Sequence, residues 1–166
     1  DAGKTWEKNA ISDWNAVRRC YTGESGDKKL LYTLLCGDKT MGSEWTQLYL
    51  SYDNGKTWKG IGSANGEGSF LVNGICFFDE EHGMTAITDH EALSIYQTSN
   101  GGKTWEHVSI ESPDSGWTMV YEPQLQGEDY VFYVGQDGYA EMSGILYKYV
   151  SKDKGKTWEI DGKVIL

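Results

Sequence analysis

Asp89 and Glu91 form the pair of carboxylates in this sequence whose spacing best suits acid–base chemistry. Residues two apart on an extended backbone lie on the same face of a strand, whereas His90 between them points to the other face. Hydrolysis of a glycosidic bond uses two carboxyl groups, about 5 Å apart in retaining enzymes and about 6.5–9.5 Å apart in inverting enzymes. Asp89 and Glu91 are therefore the candidate catalytic pair if this chain acts as an enzyme.

Other patterns associated with chemistry are weak. Gly-Lys-Thr occurs four times, but a phosphate-binding loop needs a further Gly five residues before the Gly-Lys pair. Leu50, Gln97 and Val150 occupy that position in three copies, and the first copy begins too early to have it. The three histidines are isolated, and the spacings typical of zinc or calcium ligands do not occur. We therefore expect no metal site and no cofactor.

One eight-residue pattern organises the whole chain. It is complete at residues 51–58 and 151–158, has Asn100 in place of Asp at residues 98–105, and is cut short at residues 1–6. Asp or Asn can bond nearby backbone N–H groups, and the Gly two residues later can take the positive φ that a tight turn requires. We therefore interpret residues 51–58, 98–105 and 151–158, called the motif turns below, as structural turns between strands. The residues that carry the pattern are Asp1, Gly3, Thr5, Trp6, Ser51, Asp53, Gly55, Thr57, Trp58, Thr98, Asn100, Gly102, Thr104, Trp105, Ser151, Asp153, Gly155, Thr157 and Trp158.

The pattern recurs about every 50 residues, which is typical of a repeat architecture. A Tyr stands two residues before each motif hydroxyl (Tyr49, Tyr96 and Tyr149), and an aromatic residue opens each repeat. Because stacked repeats need equivalent residues to bury one core, we interpret these aromatics as packing residues. Strands are predicted at 14–21, 29–36, 45–50, 56–61, 70–78, 83–88, 92–97, 117–122, 130–135, 145–150 and 158–160.

The motif resembles the Asp-box, or bacterial neuraminidase repeat, with the pattern Ser/Thr-x-Asp-x-Gly-x-Thr-Trp. In that family the box is the turn between the third and fourth strands of a β-propeller blade. The resemblance implies an all-β fold of four-stranded antiparallel blades, which we expect to be a fragment of a larger propeller. It implies the last strand of a preceding blade at 1–12 and three blades at 13–62, 69–109 and 116–166. Residues 75–98 also resemble, more weakly, the propellers of photosystem assembly factors.

In the Asp-box family the boxes lie away from the active-site face, which implies a functional rim on the opposite side of the blades. Trp45 and Tyr139 are expected there, where an aromatic face can stack on a sugar ring, although each rim residue can also be an ordinary solvated loop residue. Carboxylates at Asp38 and Asp137 follow or precede Gly, where water would keep them ionised. The candidate rim residues are Asp38, Glu44, Trp45, Asp89, Glu91, Asp114, Asp137, Tyr139 and Glu141.

Arginine content bears on one enzyme class. Sialidases, which resemble this chain in their boxes, bind a substrate carboxylate with three arginines, because guanidinium groups pair with carboxylates in bidentate geometry. This chain has only Arg18 and Arg19, which as neighbours on a strand point to opposite faces. A complete sialidase is therefore excluded, whereas a fragment of one stays open.

Composition excludes further classes of partner. The net charge is −10, which argues against binding to nucleic acid or to an anionic membrane surface. No apolar run is long enough for membrane insertion. Cys20, Cys36 and Cys76 are odd in number and form no disulfide framework.

Two classes of function remain. The first is a non-catalytic module that binds glycan or protein through the functional rim. The alternative is part of a secreted glycoside hydrolase, sialidase-like or active on β-glucan or xyloglucan, whose other catalytic residues lie outside this chain. Three blades leave open sheet faces, so we expect two copies to pair as a homodimer and close a ring of about six blades. The resemblance also implies an extracytoplasmic or secreted location.

Overall fold

The structure is a computed structural model that describes residues 4–5, 8–14, 17–40, 43–65, 71–89, 92–113, 116–136 and 144–166. The described residues form an all-β fold of antiparallel sheets, arranged as the blades of a β-propeller. The first sheet contains β1 (Arg19–Glu24), β2 (Leu31–Thr40), β3 (Ser43–Ser51) and β4 (Lys59–Gly62). The second sheet contains β5 (Leu71–Phe77), β6 (Gly83–Thr88), β7 (Ser94–Thr98) and β8 (Glu106–Ser109). The third sheet contains β9 (Met119–Val120), β10 (Gln124–Gln126), β11 (Asp129–Gly135), β12 (Ile145–Ser151) and β13 (Glu159–Ile165).

Each sheet follows the order of its strands along the chain, as a meander does. The second and third sheets are joined by a single backbone pairing between Thr88 of β6 and Met119 of β9. The first sheet has no strand pairing to the other two among the described residues. Side-chain packing between sheets, rather than strand pairing, therefore holds the first sheet in place.

Two hydrophobic clusters fill the spaces between successive sheets. One cluster lies between the first and second sheets and contains Leu34, Leu48 and Phe77. The other lies between the second and third sheets and contains Ile95 and Phe132. Side chains alternate between the two faces of a sheet along each strand. A sheet that packs against another sheet on both faces therefore needs apolar residues at successive positions. In β6, every residue except the last is buried.

Most predicted strands are present, and β6 has the predicted bounds, Gly83 to Thr88. The strand predicted at 14–21 begins later, as β1 at Arg19, because Trp14 turns onto Gly37 instead of continuing the strand. The strands predicted at 29–36 and 45–50 are both longer in the structure, as β2 and β3. Strands β2 and β3 continue past an irregular register between Cys36 and Lys39 and pair as far as residues 40 and 43.

The inner strand of the third sheet also differs from its prediction. It was predicted at 117–122, but β9 covers only Met119–Val120, and pairing with β11 resumes in β10. Pro123 lies in the gap between them, where its missing N–H cannot contribute to a ladder. A leading strand was predicted at 1–12. The residues of this range that the structure describes, 4–5 and 8–12, are not in a strand.

Candidate functional site

The motif turns at 51–58 and 151–158 are held by the same set of hydrogen bonds. In the first, Ser51 Oγ donates to Asp53 Oδ1 at 2.9 Å and accepts the backbone N–H of Gly55 at 2.9 Å. Thr57 donates its backbone N–H to Asp53 Oδ1 at 2.9 Å and its hydroxyl to Asp53 Oδ2 at 2.7 Å. The corresponding bonds at residues 151–158 measure 2.7–2.9 Å. Each carboxylate therefore accepts its hydrogen bonds from residues of its own turn.

These bonds act on the acidity of the two aspartates. Donation from the Thr57 hydroxyl and backbone lowers the pKa of Asp53 to about 2. Donation from Thr157 likewise lowers the pKa of Asp153 to about 2. Hydrogen bonds to a carboxylate stabilise its ionised form, so both groups are poor proton donors at neutral pH.

The motif turn at 98–105 builds the same geometry with an amide. Asn100 Oδ1 accepts the backbone N–H of Thr104 at 3.0 Å, and its Nδ2 donates to Thr104 Oγ1 at 2.7 Å. Thr98 Oγ1 accepts the backbone N–H of Gly102 at 2.9 Å. In the first copy, Asp1, Gly3 and Trp6 lie outside the described residues, and Thr5 is exposed.

At the β2–β3 end of the first sheet, the structure brings Asp38 and Trp45 to one cavity of about 690 Å³. This tryptophan cavity is lined by Ser12, Asp13, Trp14, Asp38, Trp45, Thr46, Gln47 and Tyr49. Trp45 lies near the start of β3, at the end opposite the motif turn and on the side predicted as the functional rim, whereas Tyr49 lies two residues before that turn. Trp45 is 75% exposed, so a large aromatic residue is presented to solvent beside two carboxylates.

The segment at 12–14 forms one wall of the tryptophan cavity. Tyr49 donates its hydroxyl proton to Ser12 Oγ at 2.8 Å, and Ser12 Oγ also accepts the backbone N–H of Trp14 at 2.9 Å. The indole of Trp14 lies so close to Gly37 that a Cβ there would be 2.8 Å from Trp14 Cζ2. Glycine at position 37 is therefore what lets the ring pack against the strand.

Asp38 has an ion-pair partner within the cavity region. Its Oδ1 lies 2.7 Å from Arg18 Nε, and both side chains are more than half exposed. Exposed ion pairs of this kind contribute at most about 1 kcal/mol, so a ligand can compete for either group at little cost.

Glu44 was predicted on the functional rim, but its side chain is completely buried between the first and second sheets. Its two carboxylate oxygens accept bonds from Arg19 Nη2 at 2.7 and 2.8 Å. Glu44 Oε2 also accepts the backbone N–H of Val72, at 3.2 Å, and Arg19 Nη2 donates to the Val72 carbonyl at 2.9 Å. A buried carboxylate needs such partners. Glu44 therefore joins two sheets and is not presented to a ligand.

The remaining candidates are not brought together by described contacts. Asp89 is half-buried at the end of β6, and its Oδ2 accepts the hydroxyl of Ser94 at 3.3 Å. Its proposed catalytic partner Glu91 lies outside the described residues. The same holds for Asp114, Asp137, Tyr139 and Glu141.

No sequence pattern connects Trp14, Asp13 or Gln47 with the rim. Trp14 was interpreted only as a packing aromatic, and its approach to Trp45 depends on the fold of the segment before β1. The one available signal was Gly37, a glycine between two strands that marks a close approach of another group.

Within the described ranges, no helix is long and apolar enough to cross a membrane. In the same ranges, no three His, Cys, Asp or Glu side chains are grouped so that they could hold a metal ion.

A protein-family model matches more than half of the chain. The family model Sortilin-Vps10, described as sortilin, neurotensin receptor 3, matches residues 46–162. The match covers β4 to β12, most of β3 and β13, and all three motif turns. No curated protein matches the chain at a significant level.

Proposed function

Because the chain belongs to the Sortilin-Vps10 family of β-propellers, we propose that it is a non-catalytic module that binds a protein ligand through the tryptophan cavity. The observation that carries the proposal is the cavity itself, which combines exposed aromatic surface with two carboxylates. Aromatic side chains dominate protein interfaces because they contribute large contact area at low entropic cost. The family's description as a neurotensin receptor supports a peptide or protein as the ligand.

The proposal also gives the rest of the chain a structural role. The motif turns are Asp-boxes and act as structural turns. Their polar side chains form hydrogen bonds within the turn itself. Residues 13–62, 69–109 and 116–166 each make one blade. An extracytoplasmic location suits a receptor module, and the expectation rests on the family and on the Asp-box resemblance.

A glycan is the second candidate ligand. A sugar ring could stack on Trp14 or on the largely exposed Trp45. The carboxylates of Asp13 and Asp38 could accept hydrogen bonds from its hydroxyl groups.

The hydrolase alternative has weaker support. Asp53 and Asp153 are held ionised by their turns, and Asp89 is paired with Ser94. Steady turnover of a fluorogenic sialoside or β-glucoside, lost in Asp89→Asn, would favour the hydrolase.

Calorimetric titration of the purified chain with neurotensin, xyloglucan oligosaccharide and sialyllactose tests the proposal. We expect neurotensin to bind and to shift the tryptophan fluorescence emission, because binding would bury Trp45 away from solvent. Trp45→Ala should weaken the affinity at least tenfold. The matched control is Tyr52→Ala, which removes an aromatic that is 53% exposed on the motif-turn side and should leave the affinity unchanged.

Three results would contradict the proposal. Equal affinity of the Trp45→Ala variant and the unmodified chain would place the peptide elsewhere. Binding of a saccharide but not of neurotensin would favour the glycan candidate. Binding of none of the three probes would argue against both a peptide and a glycan ligand.

A further inference from the structure

Asparagine followed by glycine occurs four times in the chain, at Asn54-Gly55, Asn65-Gly66, Asn73-Gly74 and Asn100-Gly101. In such a pair the backbone nitrogen of the glycine can attack the side-chain amide carbon of the asparagine, because glycine has no Cβ to hinder the approach. A succinimide ring forms, ammonia leaves, and water opens the ring to aspartate or isoaspartate. Both reacting groups must be free to move, so the folded structure determines which of the four pairs reacts.

Two of the four asparagines have their side-chain amides held inside the fold. Asn65 is 3% exposed, its Nδ2 donates to the Glu44 carbonyl at 3.0 Å, and its Oδ1 accepts the hydroxyl of Thr46 at 3.1 Å. Asn73 is half-buried on β5, and its Nδ2 donates to Thr88 Oγ1 at 2.6 Å. Neither amide carbon can turn toward the following glycine unless these hydrogen bonds break.

The Asn100-Gly101 pair is held at both reacting groups. The side-chain amide of Asn100 forms two hydrogen bonds with Thr104. The backbone N–H of Gly101 donates to the Glu81 carbonyl at 2.9 Å. Three hydrogen bonds must therefore break before this pair can react.

Asn54 differs from the other three asparagines. It is exposed on the motif turn at 51–58, and its side chain forms no hydrogen bond with any residue that the structure describes. Of the two reacting groups only the nucleophile is restrained, because the backbone N–H of Gly55 donates to Ser51 Oγ at 2.9 Å. A single hydrogen bond therefore protects this pair.

We propose that Asn54 is the site of spontaneous deamidation in this chain, and that the hydrogen bond between Ser51 and Gly55 controls its rate. A bond forms between the Gly55 nitrogen and Asn54 Cγ, the bond between Cγ and Nδ2 breaks, and the Gly55 proton leaves with the ammonia. Water then adds to one of the two succinimide carbonyls, which gives aspartate or isoaspartate. Local opening of the turn precedes the attack, as it precedes other reactions of protected backbone groups.

Either product changes the first motif turn. Both products place a new carboxylate next to Asp53, which is itself ionised. Isoaspartate also adds a methylene to the main chain, whereas the hydrogen bonds among Ser51, Asp53 and Thr57 depend on their spacing. The turn at 151–158 cannot undergo this reaction, because Lys154 stands at the equivalent position.

Incubation of the whole chain at mildly alkaline pH, followed by peptide mapping with mass spectrometry, measures the reaction at all four pairs in one sample. In the folded chain we expect Asn54 to convert roughly tenfold faster than Asn100, because fewer hydrogen bonds hold it. Ser51→Ala should accelerate the conversion of Asn54 about fivefold, because it frees the backbone N–H of Gly55. Asn54→Gln should remove the signal at this position.

The matched control is Ser151→Ala. It removes the equivalent hydrogen bond, from the Gly155 N–H to Ser151 Oγ at 2.7 Å, in a turn that contains no Asn-Gly pair. It should leave the rate at Asn54 unchanged. In concentrated urea the protection is lost, and the four pairs should convert at comparable rates. The comparison of the folded chain with the chain in urea needs no variant, so it decides the assignment even if Ser51→Ala does not fold.

Three results would contradict the proposal. Conversion of another Asn-Gly pair as fast as Asn54 in the folded chain would show that the assignment is wrong. Equal acceleration by Ser51→Ala and Ser151→Ala would show that global unfolding, rather than opening of the first motif turn, exposes the site. An intact Asn54 in the folded chain, under conditions in which it converts in urea, would show that the folded turn prevents the reaction.

Discussion

At the scale of single residues, Asp53, Asn100 and Asp153 close equivalent turns, two with a carboxylate and one with an amide. Each accepts the N–H four residues later, but only the two carboxylates change charge on titration. The folded pKa of Asp53 and Asp153 is about 2, below the value of about 3.9 for an unperturbed Asp. A depressed folded pKa contributes stability that is fully present above the unfolded value. That contribution is lost as the pH falls toward the folded value.

The first prediction follows from this difference. Between about pH 4 and pH 2 the melting temperature of the unmodified chain should fall, and it should fall less steeply for Asp53→Asn, whose amide can bond as Asn100 does. At neutral pH, Asp53→Ala should lower the melting temperature by roughly 2–4 °C and leave ligand binding intact. Thermal melts from pH 2 to 7 measure both effects.

Asp13→Asn serves as the control, because it removes an exposed carboxylate outside the motif turns. An unchanged acid slope in Asp53→Asn would refute the assignment. So would loss of binding by Asp53→Ala at an unchanged melting temperature.

At the scale of elements, each motif turn forces the residue after its Asp or Asn into the left-handed region. Asn54 has φ 59°, Gly101 has φ 71° and Lys154 has φ 62°. Asn and Gly tolerate this conformation, whereas other residues incur about 1–2 kcal/mol of steric cost. The turn at 151–158 is therefore formed against a local preference that the other two avoid.

The second prediction is that Lys154→Asn raises the free energy of unfolding by about 0.5–1 kcal/mol, because Asn adopts positive φ more readily. Urea unfolding followed by tryptophan fluorescence measures the change. The control Lys156→Asn removes the same charge from the same turn at a residue without positive φ. Equal effects of the two variants would show that charge, rather than backbone conformation, is responsible.

At the scale of the whole molecule, the Arg19–Glu44 pair connects the first sheet to the second. Glu44 is on β3, Arg19 is on β1, and both bond the backbone of Val72 on β5. No strand pairing joins these two sheets among the described residues. The pair and the surrounding hydrophobic cluster therefore contribute to holding the first sheet on the second.

The third prediction is that Glu44→Ala lowers the free energy of unfolding by about 2 kcal/mol, because it leaves the buried Val72 N–H without its acceptor and removes the carboxylate that pairs with Arg19. Asp38→Ala is the matched control, since it removes the acid of the exposed pair with Arg18 and should cost less than about 1 kcal/mol. Denaturant unfolding of the two variants provides the comparison. Similar costs would contradict the structural role of Glu44.

The sequence by itself determined the features whose bonds are local. The motif turns were predictable because each hydrogen bond of the Ser51, Asp53 and Thr57 side chains joins residues at most four apart, so residue type and spacing specify the geometry. The all-β fold and the bounds of β6 followed from the same repeat and from apolar patterning.

Only the tertiary structure decided where the rim residues lie. Glu44 looked like a loop carboxylate, yet it is buried because Arg19 and Val72, 25 and 28 residues away, supply its partners. Trp14 reaches the cavity because Tyr49, 37 residues from Ser12, bonds that segment to the sheet. Such contacts depend on the packing of one sheet on another, and spacing along the chain does not encode the distance between them.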